Sequence, residues 1–185
     1  MDLIDCRRAW LMKQYAIGSF LLALSVMCAA CSSSAPGLDQ TKFNGAAGAA
    51  QAVRSTLESG AGYQAFDRAL QKLSAEITAL KIRPLSDQEK ELVKDYSDLY
   101  STYHDGHILW KYKIEFTRYG FVPSELIYVG QDIEPIIEKY RIPVELHVYA
   151  PTQQSWKSIP EASLQMIWTN AASQLQIINN ILSYR

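Results

Sequence analysis

Apolar residues recur in steps of four and three along three stretches of the chain. Phe66, Leu70, Leu73, Ile77 and Leu80 make the first series. Leu92, Tyr96, Leu99, Tyr103, Gly106, Trp110 and Ile114 make the second, and Leu164, Trp168, Ala171, Leu175, Ile178 and Leu182 the third. Such spacing keeps one face of a helix apolar and predicts seams like those of a coiled coil. The first helix is expected over about 49–82, starting weakly through Val53 and Leu57, with Gly60-Ala61-Gly62 interrupting or bending it. Pro84 ends it, because the residue before a proline avoids the helical basin.

Ser86-Asp87-Gln88-Glu89 has the pattern of a capping box and opens a helix over 86–118, with Gly120 as its stop. The short link at Pro84 makes the first two helices antiparallel. That fold-back sets Tyr63 opposite Gly106, and Trp110 opposite Ser59 and Gly60. Ser158-Ile159-Pro160-Glu161 has the same box pattern and predicts a last helix over 160–183.

Residues 121–159 change rhythm. Leu126-Ile127-Tyr128-Val129 is a strand-like run, and Val144, Leu146 and Val148 alternate with Glu145, His147 and Tyr149. A small amphipathic helix between them carries Ile133, Ile136, Ile137 and Tyr140, with Asp132 as its expected cap. The two strands are expected to pair across that helix. The fold class is therefore mainly α: an antiparallel three-helix bundle with a small α/β insertion.

The amino-terminal segment has a different logic. Arg7, Arg8 and Lys13 precede an uncharged apolar run from Tyr15 to Ala30, 16 residues long. A positive flank, a short apolar core and a small-residue exit form a secretory signal peptide. The run is shorter than the roughly 20 residues of a membrane-spanning helix. Starting at Met12 instead of Met1 would remove Asp2 and Asp5 and leave a cleaner signal. The exit, Cys28-Ala29-Ala30-Cys31-Ser32, resembles the lipobox of bacterial lipoproteins, with Cys28 where that family usually has Leu. The resemblance covers residues 1–32 only. It implies cleavage before Cys31, then a thioether-linked diacylglycerol and an amide-linked acyl chain on Cys31. Several acyl chains, each CH₂ contributing about 0.8 kcal/mol, anchor a protein durably to a membrane. Ser32 resembles the sorting pattern for the outer membrane, which implies a chain facing the periplasm. An ordinary cleaved signal and an uncleaved anchor are the alternatives. Residues 31–48, rich in Ser, Ala and Gly, read as lipidated Cys and flexible tether, ahead of a single helical domain at 49–185.

Removing residues 1–30 leaves 155, with 15 Lys and Arg against 17 Asp and Glu. That balance argues against nucleic acid as a partner. Of the three cysteines only Cys31 remains, so no disulfide, thiol nucleophile or thiolate metal site is expected.

His104-Asp105-Gly106-His107 is the most metal-like stretch, since residues three apart on a helix share a face. His104 and His107 lack a local third ligand, and His147 would have to supply it. The competing reading is two flank histidines, and no cofactor is expected. Asp87, Glu91, Asp95 and Asp98 read as a solvated face or a docking stripe for a basic partner. The chain lacks a G-x-S-x-G elbow, a P-loop, G-x-G-x-x-G and H-E-x-x-H, so no catalytic residue is assigned.

Aromatic residues crowd the second half of helix 86–118. Tyr96, Tyr103 and Trp110 belong to its seam. Tyr100, Tyr112, Phe116, Tyr119 and Phe121 exceed what one seam absorbs and form the candidate partner surface. The expected function is a membrane-anchored envelope lipoprotein that binds or scaffolds another envelope protein without enzymatic activity. The alternative is a small-ligand or cell-wall-fragment binder, or hydrolase. Its pocket would lie between bundle and insertion, with His147, Glu145 or Glu134 converging on it.

Overall fold

The computed structural model describes residues 38–118, 120 and 122–183. The signal peptide, Cys31, tether residues 32–37, Tyr119 and Phe121 lie outside the described residues. The described chain is mainly helical, with five α-helices and one small antiparallel sheet. The helices are α1 (Asn44–Glu58), α2 (Tyr63–Lys81), α3 (Asp87–Arg118), α4 (Glu134–Tyr140) and α5 (Ala162–Ser183). The strands are β1 (Leu126–Tyr128), β2 (Glu145–Tyr149) and β3 (Gln154–Pro160).

Regular structure begins earlier than the tether expectation placed it. A 3-10 turn at Gln40–Phe43 leads directly into α1. Ala46, Ala49, Ala50 and Val53 are buried at helical spacing, so alanine forms the apolar stripe there. Phe43 is also buried and stacks on Tyr96 with ring centroids 6.2 Å apart. The expected first helix is two helices, separated at Ser59–Gly62, where Gly60 takes a left-handed φ of +67°.

Glu89 explains how the entry segment is held. The Ser86 box forms as expected: Ser86 N–H donates to Glu89 Oε2 at 2.8 Å, and Glu89 N–H donates to Ser86 Oγ at 3.3 Å. The same buried carboxylate also accepts the Asp39 N–H at 3.3 Å and faces Lys42 Nζ at 2.8 Å. One side chain thus caps α3 and ties the start of the domain to it. Lys42 and the Ser86 amide hold the Glu89 carboxyl down at about 2, outweighing burial.

The seam of α2 is buried at all five positions. In α3 the seam holds from Leu92 to Gly106, then turns: Leu109 is fully buried and Ile114 is exposed. A straight helix drifts about 20° per heptad against a 3.5-residue repeat, and three heptads carry Ile114 off the contact line. Tyr63 does not meet Gly106. It stacks on His107 at 4.7 Å and meets Trp110 edge-on at 5.8 Å. Gly106 faces α5, where a Cβ would overlap the six-membered ring of Trp168.

Two apolar clusters follow. One lies among α1, α2, the first part of α3 and the second half of α5. The other joins Leu109 and Leu164 to Ile127, Ile133, Ile136, Ile142 and Ile159 of the sheet region. Trp110 and Trp168 pack against both.

The sheet corrects the expected pairing. Its order is β1-β3-β2, both pairs antiparallel, so the two expected strands flank a third and do not touch. The second box does not cap a helix. Ser158 is a buried β3 residue opposite Tyr128 and Glu145, and α5 begins only at Ala162. Asp132 does not cap α4 either: Ile133 takes the N-cap with no side-chain bond, and Asp132 accepts the Tyr112 hydroxyl at 3.2 Å.

Candidate functional site

Five rings run from α3 across the sheet in nearly parallel planes. Tyr112 and Phe116, one turn apart on α3, have centroids 5.6 Å apart at 18°. Phe116 lies 4.4 Å from Tyr128 of β1, at 21°. Tyr128 lies 6.4 Å from Trp156 of β3, and Trp156 lies 4.3 Å from His147 of β2. Strand register explains the sheet portion. His147 is directly opposite Trp156, and Tyr128 is opposite Ser158, two residues further along the same face. All five side chains are half-buried, so one edge of the row meets solvent.

The row is held rigidly. Tyr112 covers Gly130, where a Cβ would sit 2.7 Å from its ring, so glycine permits that approach. Burial and the Asp132 carboxylate both raise the Tyr112 phenol above its ordinary pKa, which keeps it a neutral donor. His147 Nε2 lies 2.7 Å from Ser158 Oγ, and Lys157 reaches Glu134 at 3.5 Å. Asp105 clasps the small helix: Lys139 Nζ donates to it at 2.6 Å and the Tyr140 hydroxyl at 2.9 Å. An aspartate singled out between two histidines therefore fixes α4 to α3.

Of the candidate surface residues, Tyr112 and Phe116 come together in this row. Tyr100 does not; it packs on the helical core and stacks on His104 at 5.9 Å. Tyr128, Trp156 and His147 complete the row and were not named for it. Their signal in the sequence is period-two spacing within strands, usable only once β3 is known.

The histidines of the metal-like stretch face different neighbours. Their ring centroids are 6.2 Å apart, and His107 Nε2 lies 3.1 Å from Asp67 Oδ1. Burial lowers the His107 pKa against the pull of Asp67. His147 sits on β2 beside Ser158. Among the described residues, no three His, Cys, Asp or Glu side chains are grouped to hold a metal ion.

A separate open cleft of about 860 Å³ lies between the α1–α2 link, α3 and the start of α5. Tyr103, Trp110, Trp168, Leu57 and Leu164 supply its apolar lining. Burial pushes the Tyr103 phenol up to about 12, so it stays protonated. At the rim Arg54 Nε donates to Glu58 at 2.6 Å and Lys113 pairs with Glu161. His147, Glu145 and Glu134, expected in a pocket, do not line it. No family profile, curated protein or solved structure matches this chain, so the row of rings and the cleft stand on their own geometry.

Proposed function

We propose that this chain is a bacterial envelope lipoprotein, anchored through acyl groups on Cys31 and sorted to the outer membrane, facing the periplasm. Its role is to bind or scaffold another envelope protein, without catalysis of its own. We read the domain as an antiparallel bundle on three long helices, α2, α3 and α5, with the sheet region inserted between the last two. The partner surface is the ring row from Tyr112 and Phe116 to His147; Tyr119 and Phe121, expected in it from the sequence, lie outside the described residues.

The observation that carries this reading is the row itself. Rigid, half-exposed aromatic rings lose little side-chain entropy on contact and supply large apolar area, which is why Tyr and Trp are enriched at interfaces. Intact mass analysis of the membrane-extracted chain tests the anchor: acylation predicts a chain starting at Cys31 with added acyl mass, and unmodified Cys31 overturns it. The partner surface is tested by cross-linking in native membranes. Copurification lost on Phe116→Asp supports it, and copurification indifferent to that change removes it.

The cleft favours a second reading, that of a binder of a small ligand or cell-wall fragment. Its Trp110 and Trp168 rings and paired rim charges suit a neutral amphipathic ring. Both rim carboxylates are occupied by cations, which does not favour hydrolysis. A saturable change in tryptophan fluorescence on adding soluble cell-wall fragments would support this reading.

A further inference from the structure

Beyond the partner surface, β2 presents an anomaly of its own. It is an outer strand of the sheet, and among the described residues no strand pairs with its free side. Natural edge strands are blunted by lysine, proline or a covering element, because unpaired N–H and C=O groups accept any passing strand. Within Glu145–Tyr149 there is no lysine and no proline, and Glu145 carries the only formal charge. On one face Leu146 is 69 % exposed and Val148 57 %, with Val144 beside them at 42 %. Three adjacent branched apolar side chains in water are costly at about 25 cal/mol per Å².

We propose that β2 is the contact by which two copies of this chain pair, antiparallel and about a two-fold axis at His147. The strand's own sequence argues for a second copy over a foreign peptide. Centring on residue 147 uses every residue of the strand. It sets Leu146 against Val148 of the other copy on the exposed apolar face, and Glu145 against Tyr149 on the other. No like charges meet, and the near-neutral net charge does not oppose association. A two-fold contact needs a patch complementary to itself, and this strand meets that condition. A slip of one residue would turn the apolar face away from its mate, so register is specified. The His147 ring, stacked on Trp156 and held by Ser158, lies at the axis. Pairing therefore joins the two three-stranded sheets into one of six strands and meets the two ring rows end to end.

Cysteine cross-linking of the full-length chain in its membrane tests this, with the wild type giving the background of its native cysteines. His147→Cys should form a disulfide dimer under mild oxidation, because residues opposed across an antiparallel pair lie about 4.5–5.5 Å apart. Tyr149→Cys should not cross-link to itself, but should do so when co-expressed with Glu145→Cys. In detergent, Leu146→Lys with Val148→Lys should halve the sedimenting protein mass and leave the circular dichroism melt unchanged. The proposal is overturned by a wild-type monomer, by cross-linking equal at positions 147 and 149, or by a dimer that survives the double lysine change.

Discussion

The helical core and the sheet region solve the same burial problem in opposite ways. In the helices the apolar seams close on one another: Phe66, Leu73, Leu99 and Leu175 are buried with polar residues outside. In the sheet, the face that reaches the core through Ile127 and Ile159 leaves Leu146 and Val148, out on β2, in water. A closed seam spends its apolar surface on stability. An open edge keeps that surface for something else, and the difference separates the part that holds the fold from the part that meets other molecules.

The sharpest break of that contrast is at Phe66, which is fully buried and packs on Tyr103, Trp110 and Trp168 at 5.2–6.2 Å. Phe66→Ala should cost about 3–5 kcal/mol in a denaturant melt. Gly106→Ala comes next. The added methyl meets Trp168, so the gain in helix propensity is overwhelmed and about 1–3 kcal/mol is lost, read as a lowered Tm.

Glu89→Gln should cost about 2 kcal/mol at neutral pH, since several donors share that carboxylate. Its pH signature is specific. The folded carboxyl titrates at about 2, below its ordinary 4.5, so its contribution is present above 4.5 and is lost as pH falls towards 2. The Gln variant should flatten the stability slope in that window, and an unchanged slope would remove Glu89 as the clasp. Tyr112→Phe removes one hydrogen bond to Asp132 and should cost about 0.5–1.5 kcal/mol. Leu146→Ala, the counterpart of the Phe66 change on the open side, should move stability by less than about 0.5 kcal/mol.

The two regions were also unequally legible. The seams of α2, α3 and α5 could be read directly, because large side chains at a 3.5-residue spacing leave few other structures. The Ser86 cap was readable too, although the bond of its partner Glu89 to Lys42 was not, since nothing local links positions 47 apart. Alanine hid the start of α1: Ala46, with Ala49 and Ala50, fills a helix face by closeness rather than size, and the Ala- and Gly-rich composition up to Gly48 suggests a tether. Strand β3 was hidden because Ser158 to Glu161 spells a helix cap. Only pairing to strands on both sides decides that Ser158 belongs to a sheet. The ring row was half visible for the same reason: its helical members share one periodicity, and its strand members become neighbours only through β3.

The most direct measurement of the central claim is site-specific photocross-linking in intact cells. A photoreactive residue at position 116, on the ring row, is compared with one at Lys72, an exposed position on α2. The account predicts a discrete heavier product from 116, none from 72, and its loss when Cys31→Ser releases the chain from the membrane. Equal products from both positions, or none from 116 in a correctly anchored chain, would contradict it.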